Sequence, residues 1–239
     1  MLVAAALCPC PPLLVPEVAA GAAPELDGLR TACDEALRGV LAARPELIVV
    51  VGPGPGTGAT AHAQGVPGTF RGLGVPLDVR LGRPGSEPPA EGPPLPLPLA
   101  IGAWLLDRAG WTGPVRGLSA GADRDWADNR ADGARAAESG ERVGLLVLGE
   151  GSARRDLKAP GYLDERAPAV DADLARALAR ADDEAFLPWL DADLARELMV
   201  SGRSPWQVLD GAAEGRDLTG RLLYDAAPYG VGYFVALWN

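Results

Sequence analysis

Residues 1–56 constrain the fold of this 239-residue chain more than any other stretch, because three apolar patterns of different period follow one another there. Leu2–Cys8 is a short apolar run stopped by Pro9, Pro11 and Pro12, the form of a buried strand feeding a loop. Leu26, Leu29, Cys33, Leu37, Val40 and Leu41 then share one face at helical spacing, with Asp27, Arg30, Glu35 and Arg38 off it, so Pro24–Arg44 is predicted helical. Glu46–Val51 is rich in β-branched residues and ends at Gly52-Pro-Gly-Pro-Gly56, a strong stop. Strand, helix, strand in this order predicts a right-handed parallel crossover, the unit of an α/β sheet.

The remaining pattern extends that reading. Val75–Leu81 and Val115–Leu118 are weaker strand candidates. Arg142–Gly149 is a strong one, apolar almost throughout and therefore expected to be buried on both faces. Arg83–Pro98 holds too many prolines for a helix interior or a central strand, and is expected to cross the surface in extended form. Ala100–Asp107 reads as a helix, and Trp126–Glu138 as a polar, exposed one. Asp171–Leu178 returns almost unchanged as Asp191–Leu198. Both copies open on aspartates placed to cap a helix. Arg221–Asp225 and Gly232–Leu237 read as a terminal antiparallel pair. The whole predicts one α/β domain over residues 1–239, with a central mixed β-sheet flanked by helices.

Composition removes several function classes. With 22 Lys+Arg against 32 Asp+Glu, the net charge is −10, which disfavours nucleic acid and anionic membranes as partners. No apolar run reaches the ~18–20 residues of a membrane-spanning helix. The apolar N-terminus has neither the basic region nor the cleavage site of a secretion signal. Three cysteines are an odd, sparse set for a disulfide framework, so a cytoplasmic location is expected. The single histidine, His62, excludes a site with two or three histidine ligands within one chain, and leaves one candidate histidine base.

The candidate chemistry is thin. Cys8-Pro9-Cys10 falls at the expected carboxyl end of the first strand, where open α/β sheets bind ligands. Gly52–Gly56 lacks the Lys-Ser/Thr of a phosphate loop. His62 lies in a run of small residues, Thr57–Gly65, that reads as a solvated loop. Gly149-Glu-Gly-Ser152-Ala-Arg154 follows the strongest strand but departs from a nucleophile elbow. Thiol chemistry at Cys10 would require a depressed pKa.

Four segments together resemble a known group: CPCPPLLVPE near the start, VVVGPG at the second strand, GEGSARRDLKAPGYLDERAP in mid-chain and DAAPYGVGYFVALW at the end. The chain resembles the class III extradiol ring-cleavage dioxygenase superfamily from Leu2 to Trp238. The likeness is to the protocatechuate 4,5-dioxygenase β-subunit type, with Memo-like proteins as cousins, and more narrowly to an actinobacterial branch. In that family a Gly-Asp-x-Ser-His-Arg stretch leads to a P-x-G-Y-D-x-R-A run, and Gly161-Tyr-Leu-Asp164-Glu-Arg166-Ala167 fits the second half.

The resemblance implies a class III extradiol dioxygenase fold, and in the family a non-haem Fe(II) held by two histidines and a carboxylate, with a further histidine as acid/base. Carried over by residue, the first ligand position is Cys10 and the second is Pro55. The carboxylate position falls near Val200, with Glu197 one turn earlier, and the acid/base position is Ala153. The frame is therefore kept while the ligands are not. The expectation is a pseudoenzyme or small-ligand- or partner-binding protein with no cofactor, its old cleft ringed by Cys10, Gly54, Pro55, Ser152, Arg154 and Tyr229. Arg154 favours a small acidic or phenolic ligand. The alternative is an active Fe(II) extradiol dioxygenase cleaving a catecholic ring, its atypical metal site drawn from Cys10, His62 and Glu197; whether the chain is an enzyme stays open at this stage. A Memo-like role through Arg83–Pro98 is a further alternative. By analogy with the family, the expected assembly is a homodimer.

Overall fold

The computed structural model describes residues 1–83, 92–181 and 188–239. β1 (Leu2–Cys8) sends Leu2, Ala5 and Leu7 to one side and Ala4, Ala6 and Cys8 to the other, and both sides are buried. A strand covered on both faces needs no polar alternation, which is why this run is apolar throughout. After a short turn, α1 (Pro16–Ala19), a 3₁₀ stretch over Ala20–Leu26 contains Pro24, so α2 (Asp27–Ala42) starts later than the spacing predicts. β2 (Leu47–Gly54) runs past the expected stop. Its Gly52, Pro53 and Gly54 remain in register with Ser119, Ala120 and Gly121 of the next strand.

β3 (Ala59–His62) is an edge strand where the sequence predicts a loop. β4 (Pro67–Thr69) and β5 (Asp78–Arg80) form a separate small ribbon. Residues 84–91 of the proline-rich crossing lie outside the described residues. Its tail departs from the expected surface course: Leu95 is buried, and its N–H donates to the Pro67 carbonyl. α3 (Leu97–Arg108) begins inside this segment, because proline in a first helical turn removes only an N–H that has no intrahelical partner.

β6 (Val115–Gly121), α4 (Trp126–Ala137), β7 (Val143–Leu148), α5 (Ala167–Leu178), α6 (Ala192–Leu198) and α7 (Arg203–Ala213) follow, then β8 (Gly220–Ala226) and β9 (Tyr233–Trp238). Seven of the described strands form one sheet in the order β3-β6-β2-β7-β1-β9-β8. β6, β2, β7 and β1 are mutually parallel, while β3 at one edge and β9 and β8 at the other run antiparallel to their neighbours. The molecule is an α/β domain with a mixed central sheet flanked by helices. One core lies under α2 and α3. The other, around Trp206, Phe234 and Trp238, lies under α4, α5 and α7. No helix among the described residues is long and apolar enough to cross a membrane.

Two expectations are corrected here. α4 is not a wholly exposed helix, for Asn129, Asp132, Gly133, Ala136 and Ala137 are buried. A Cβ at Gly133 would overlap the Val208 carbonyl and one at Gly211 would overlap the Arg130 carbonyl, so α4 and α7 meet backbone to backbone. Asp171 is not a cap, because α5 starts four residues earlier at Ala167; it sits buried within the helix. Only Asp191 caps, accepting from the Leu194 N–H at 2.7 Å. α7, in a stretch to which the sequence reading assigns no element, is buried along its whole length.

Candidate functional site

The parallel strands bring their carboxyl ends to one rim of the sheet, where ligands bind in open α/β folds. At the β1–β7 portion of that rim the chain builds a compact polar knot. β7 leads into Gly149, whose N–H donates to the Cys8 carbonyl at 3.1 Å, and this fixes Glu150 beside Cys10. The Cys10 N–H donates to Glu150 Oε1 at 3.1 Å. Ser201 Oγ pairs with Glu150 Oε2 at 2.8 Å and accepts the Glu150 N–H at 2.9 Å. The Gly202 N–H donates to the Glu150 carbonyl at 2.9 Å, closing the knot onto the start of α7.

Burial is the largest influence on how this cluster titrates. Loss of solvent pushes the Glu150 carboxyl above the usual carboxylate range, against the lowering effect of its bonds to Ser201 and Cys10. Burial, and then the Glu150 charge, push the Cys10 thiol well above its ordinary value. Tyr233, at the start of β9, is raised by burial first and by Glu150 next. Three acids therefore share one low-dielectric site, and burial shifts each toward its neutral form. The Cys10 thiol is the reverse of an activated nucleophile, which removes the depressed pKa that thiol chemistry requires.

Next to the knot, Ser152 is fully buried and its polar atoms are engaged. Its N–H donates to Asp171 Oδ1 at 2.8 Å, and Oγ donates to the Leu198 carbonyl at 2.7 Å while accepting the Arg154 N–H at 3.1 Å. Asp171 also pairs with Arg155 at 2.7 Å. Ala153 donates its N–H to Leu198 O and accepts from the Gly161 N–H, so backbone bonds on both sides hold the position where the resemblance puts the acid/base histidine. Arg154 is one-third exposed, with Nη1 3.7 Å from Asp164 Oδ2. Its Nε is buried without a hydrogen-bond partner. Met199 and Gly161 flank its stem.

The other expected residues lie apart. Gly54 ends β2, its carbonyl accepting the Ala122 N–H, and Pro55 is exposed beyond it. The Tyr229 hydroxyl donates to Glu25 Oε2 at 3.0 Å. Val200 is buried, and Glu197 projects outward to pair with Arg166 at 2.8 Å. His62 is no loop bystander: from β3 its Nε2 reaches Ser119 Oγ at 2.9 Å, and burial lowers its pKa. β3 and β1 are four positions apart in the sheet, so strand spacing alone holds His62 roughly 19 Å from Cys10.

That separation answers whether a facial iron triad fits. Cys10, His62 and Glu197 do not converge, and Cys10 with Glu150 supplies one thiol and one carboxyl with no imidazole. Among the described residues no group of three or more His, Cys, Asp or Glu is placed to hold a metal ion. Sequence reasoning missed Glu150, Ser201 and Tyr233. The available signal was Glu150, which follows the strongest strand and occupies the acidic place of the Gly-Asp-x-Ser-His-Arg run.

No family model matches the chain, and no curated protein does. Among solved structures, it is similar to the crystal structure of the uncharacterized protein JW3007 from Escherichia coli K12. That likeness has a TM-score of 0.63 and 13% identity, and covers 99% of each chain. At that identity the two share a fold.

Proposed function

We propose that this chain is a class III extradiol dioxygenase-like protein that has given up the Fe(II) centre and acts as a pseudoenzyme, binding a small carboxylate or phenolate at the strand carboxyl ends. The observation that carries the reading is the Cys10–Glu150–Ser201 knot. At the first ligand position of the resemblance stands a buried thiol, its backbone N–H tied to a carboxyl whose pKa burial raises. The remaining positions offer proline, valine and alanine, none of which can donate a lone pair from its side chain. Arg154 supports the acidic ligand. Its guanidinium is partly open to solvent, its nearest carboxylate stands 3.7 Å away, and its Nε has no partner. A carboxylate there would gain a charge-assisted bond that Arg154 lacks among the described residues. No redox or metal-dependent step is assigned to the site.

The test has two arms on the same purified protein. Elemental analysis after anaerobic incubation with Fe(II) is expected to find no stoichiometric iron, and catechol no ring cleavage. Calorimetric titration with benzoate is expected to show binding that Arg154→Ala abolishes. Stoichiometric iron with cleavage of catechol would overturn the proposal in favour of an active dioxygenase. Benzoate binding unchanged in Arg154→Ala would remove the ligand assignment.

A further inference from the structure

Residues 52–70 contain no Asp, Glu, Lys or Arg in a chain that is 23% charged, and the middle of that stretch is β3, at the edge of the main sheet. Natural sheet edges are commonly protected by lysine, proline, a bulge or a covering element, because unpaired N–H and C=O groups invite another strand. β3 has none of the first three: it reads Ala-Thr-Ala-His, pairs regularly with β6 through Ala59↔Ala120 to His62↔Gly117, and its residues 59–61 are exposed. A groove of about 940 Å³ runs beside it, with Ala59, Ala61, Leu47, Val49 and Leu118 among its lining residues. Two acidic and two basic residues, Glu46, Asp132, Arg116 and Arg135, line it as well. The opposite edge, β8, carries Arg221 and Asp225, and Gly220 lies against the backbone of Ala179–Ala181.

From these two features, the charge-free edge strand and the groove along it whose two acidic and two basic residues balance, we infer that β3 is a self-association edge. It pairs antiparallel with β3 of a second copy about a two-fold axis perpendicular to the sheet. Four observations select a second copy as the occupant. An antiparallel strand pair is self-complementary, as an isologous two-fold interface requires. Ala59 and Ala61 share the face of Leu118 and Ala120, with Thr60 and His62 on the other, so both faces present small or neutral side chains to their own image. Two chains of net charge −10 repel least where the paired strand carries no charge and the groove beside it holds as many basic as acidic residues. Finally, the axis places both grooves on the same face, so that they adjoin across the junction, each with two acidic and two basic lining residues. This interface lies four strands from the Cys10–Glu150 knot and does not depend on the ligand proposed there.

Sedimentation of the full chain over a concentration series tests the inference. The expected result is a species of twice the 24.7 kDa chain mass. Ala61→Lys, which sets like charges across the two-fold on an exposed position, is expected to weaken the dimer by at least about tenfold. Ala61→Ser, equally small and uncharged, is expected to leave it unchanged. Far-ultraviolet dichroism identical to the native chain shows that Ala61→Lys is folded. A chain that sediments as a monomer throughout would overturn the proposal and leave a foreign extended segment as the occupant. A dimer indifferent to Ala61→Lys would overturn it in favour of another interface.

Discussion

Glu150 carries the consequence of burying an acid among other acids. Its carboxyl is raised above the ordinary range chiefly by lost solvation, and the bonds from Cys10 and Ser201 do not compensate. A carboxyl raised on folding binds more protons in the folded than in the unfolded state, so its contribution to stability is full below the unfolded pKa and declines as pH rises through the folded one. Glu150→Gln mimics the neutral acid: the amide oxygen can accept the Cys10 N–H and the NH₂ group can donate to Ser201 Oγ. Urea unfolding from pH 4 to 8 is therefore expected to show native stability falling relative to Glu150→Gln as pH rises, with the variant equal or more stable at the upper end. A native-minus-variant difference that does not move with pH would show Glu150 solvated in the folded state. One member of the knot was legible in the sequence, since Cys10 sits after the first strand, while Glu150 was missed although it follows the strongest one. The knot's chemistry was not legible, because neither residue alone signals a site. Ser201 comes from a segment separated from Glu150 by 51 residues, and only folding brings them together.

At the level of elements, the pairing of α4 with α7 shows how packing buries the polar face of a helix. α4 has few apolar residues, so it reads as exposed, yet Gly133 gives it a face of bare backbone against α7. α7 carries an apolar stripe at helical spacing, with Trp206, Leu209 and Ala213 on it, yet its polar face is buried as well, Arg203, Ser204, Gln207 and Asp210 included. Those polar groups are satisfied by tertiary contacts: Arg203 Nε donates to Leu190 O at 2.9 Å and Nη1 to Arg124 O at 2.9 Å. Ser204 Oγ donates to Gly121 O at 2.8 Å, and Asn129 Nδ2 to Gln207 Oε1 at 2.9 Å. The same logic moved Asp171 from a cap to a buried anchor for Ser152 and Arg155. Gly133→Ala adds one methyl where it would overlap a carbonyl oxygen, and helix propensity favours the substitution by only about 1 kcal/mol. Overpacking is expected to prevail, with a net loss of about 1–3 kcal/mol in chemical denaturation. Ala at Gly28, whose added Cβ would meet only Tyr224 at 4.0 Å, is the control and is expected to be neutral or slightly stabilising. Equal effects at the two positions would mean that α4 and α7 do not meet this closely.

Across the whole molecule, the legible part of the fold was the part buried on both faces. β1, β2 and β7 have nearly continuous apolar runs because helices cover both sides of the sheet. The same double burial makes them detectable in sequence and places them at the centre of the cooperative core. The short peripheral strands were missed or only partly indicated. β3, β4 and β5 are three or four residues long, and too few of their side chains are buried to impose a period of two. Sequence legibility and local stability should therefore follow one order. Amide exchange followed by mass spectrometry in dilute solution is expected to find β1, β2 and β7 opening only with global unfolding. The β4–β5 ribbon should exchange through smaller local openings, because it stands outside the main sheet with one pairing of three residues. β3 should be fast when dilute and slow down as concentration rises, since a strand that gains a second neighbour gains partners for its outward N–H groups. The β4–β5 ribbon provides the internal reference, as no pairing is assigned to its edges and its rate should not follow concentration. Core strands exchanging as fast as the ribbon would separate legibility from stability. β3 and the ribbon slowing in parallel would point to a general effect of concentration rather than to pairing at the sheet edge.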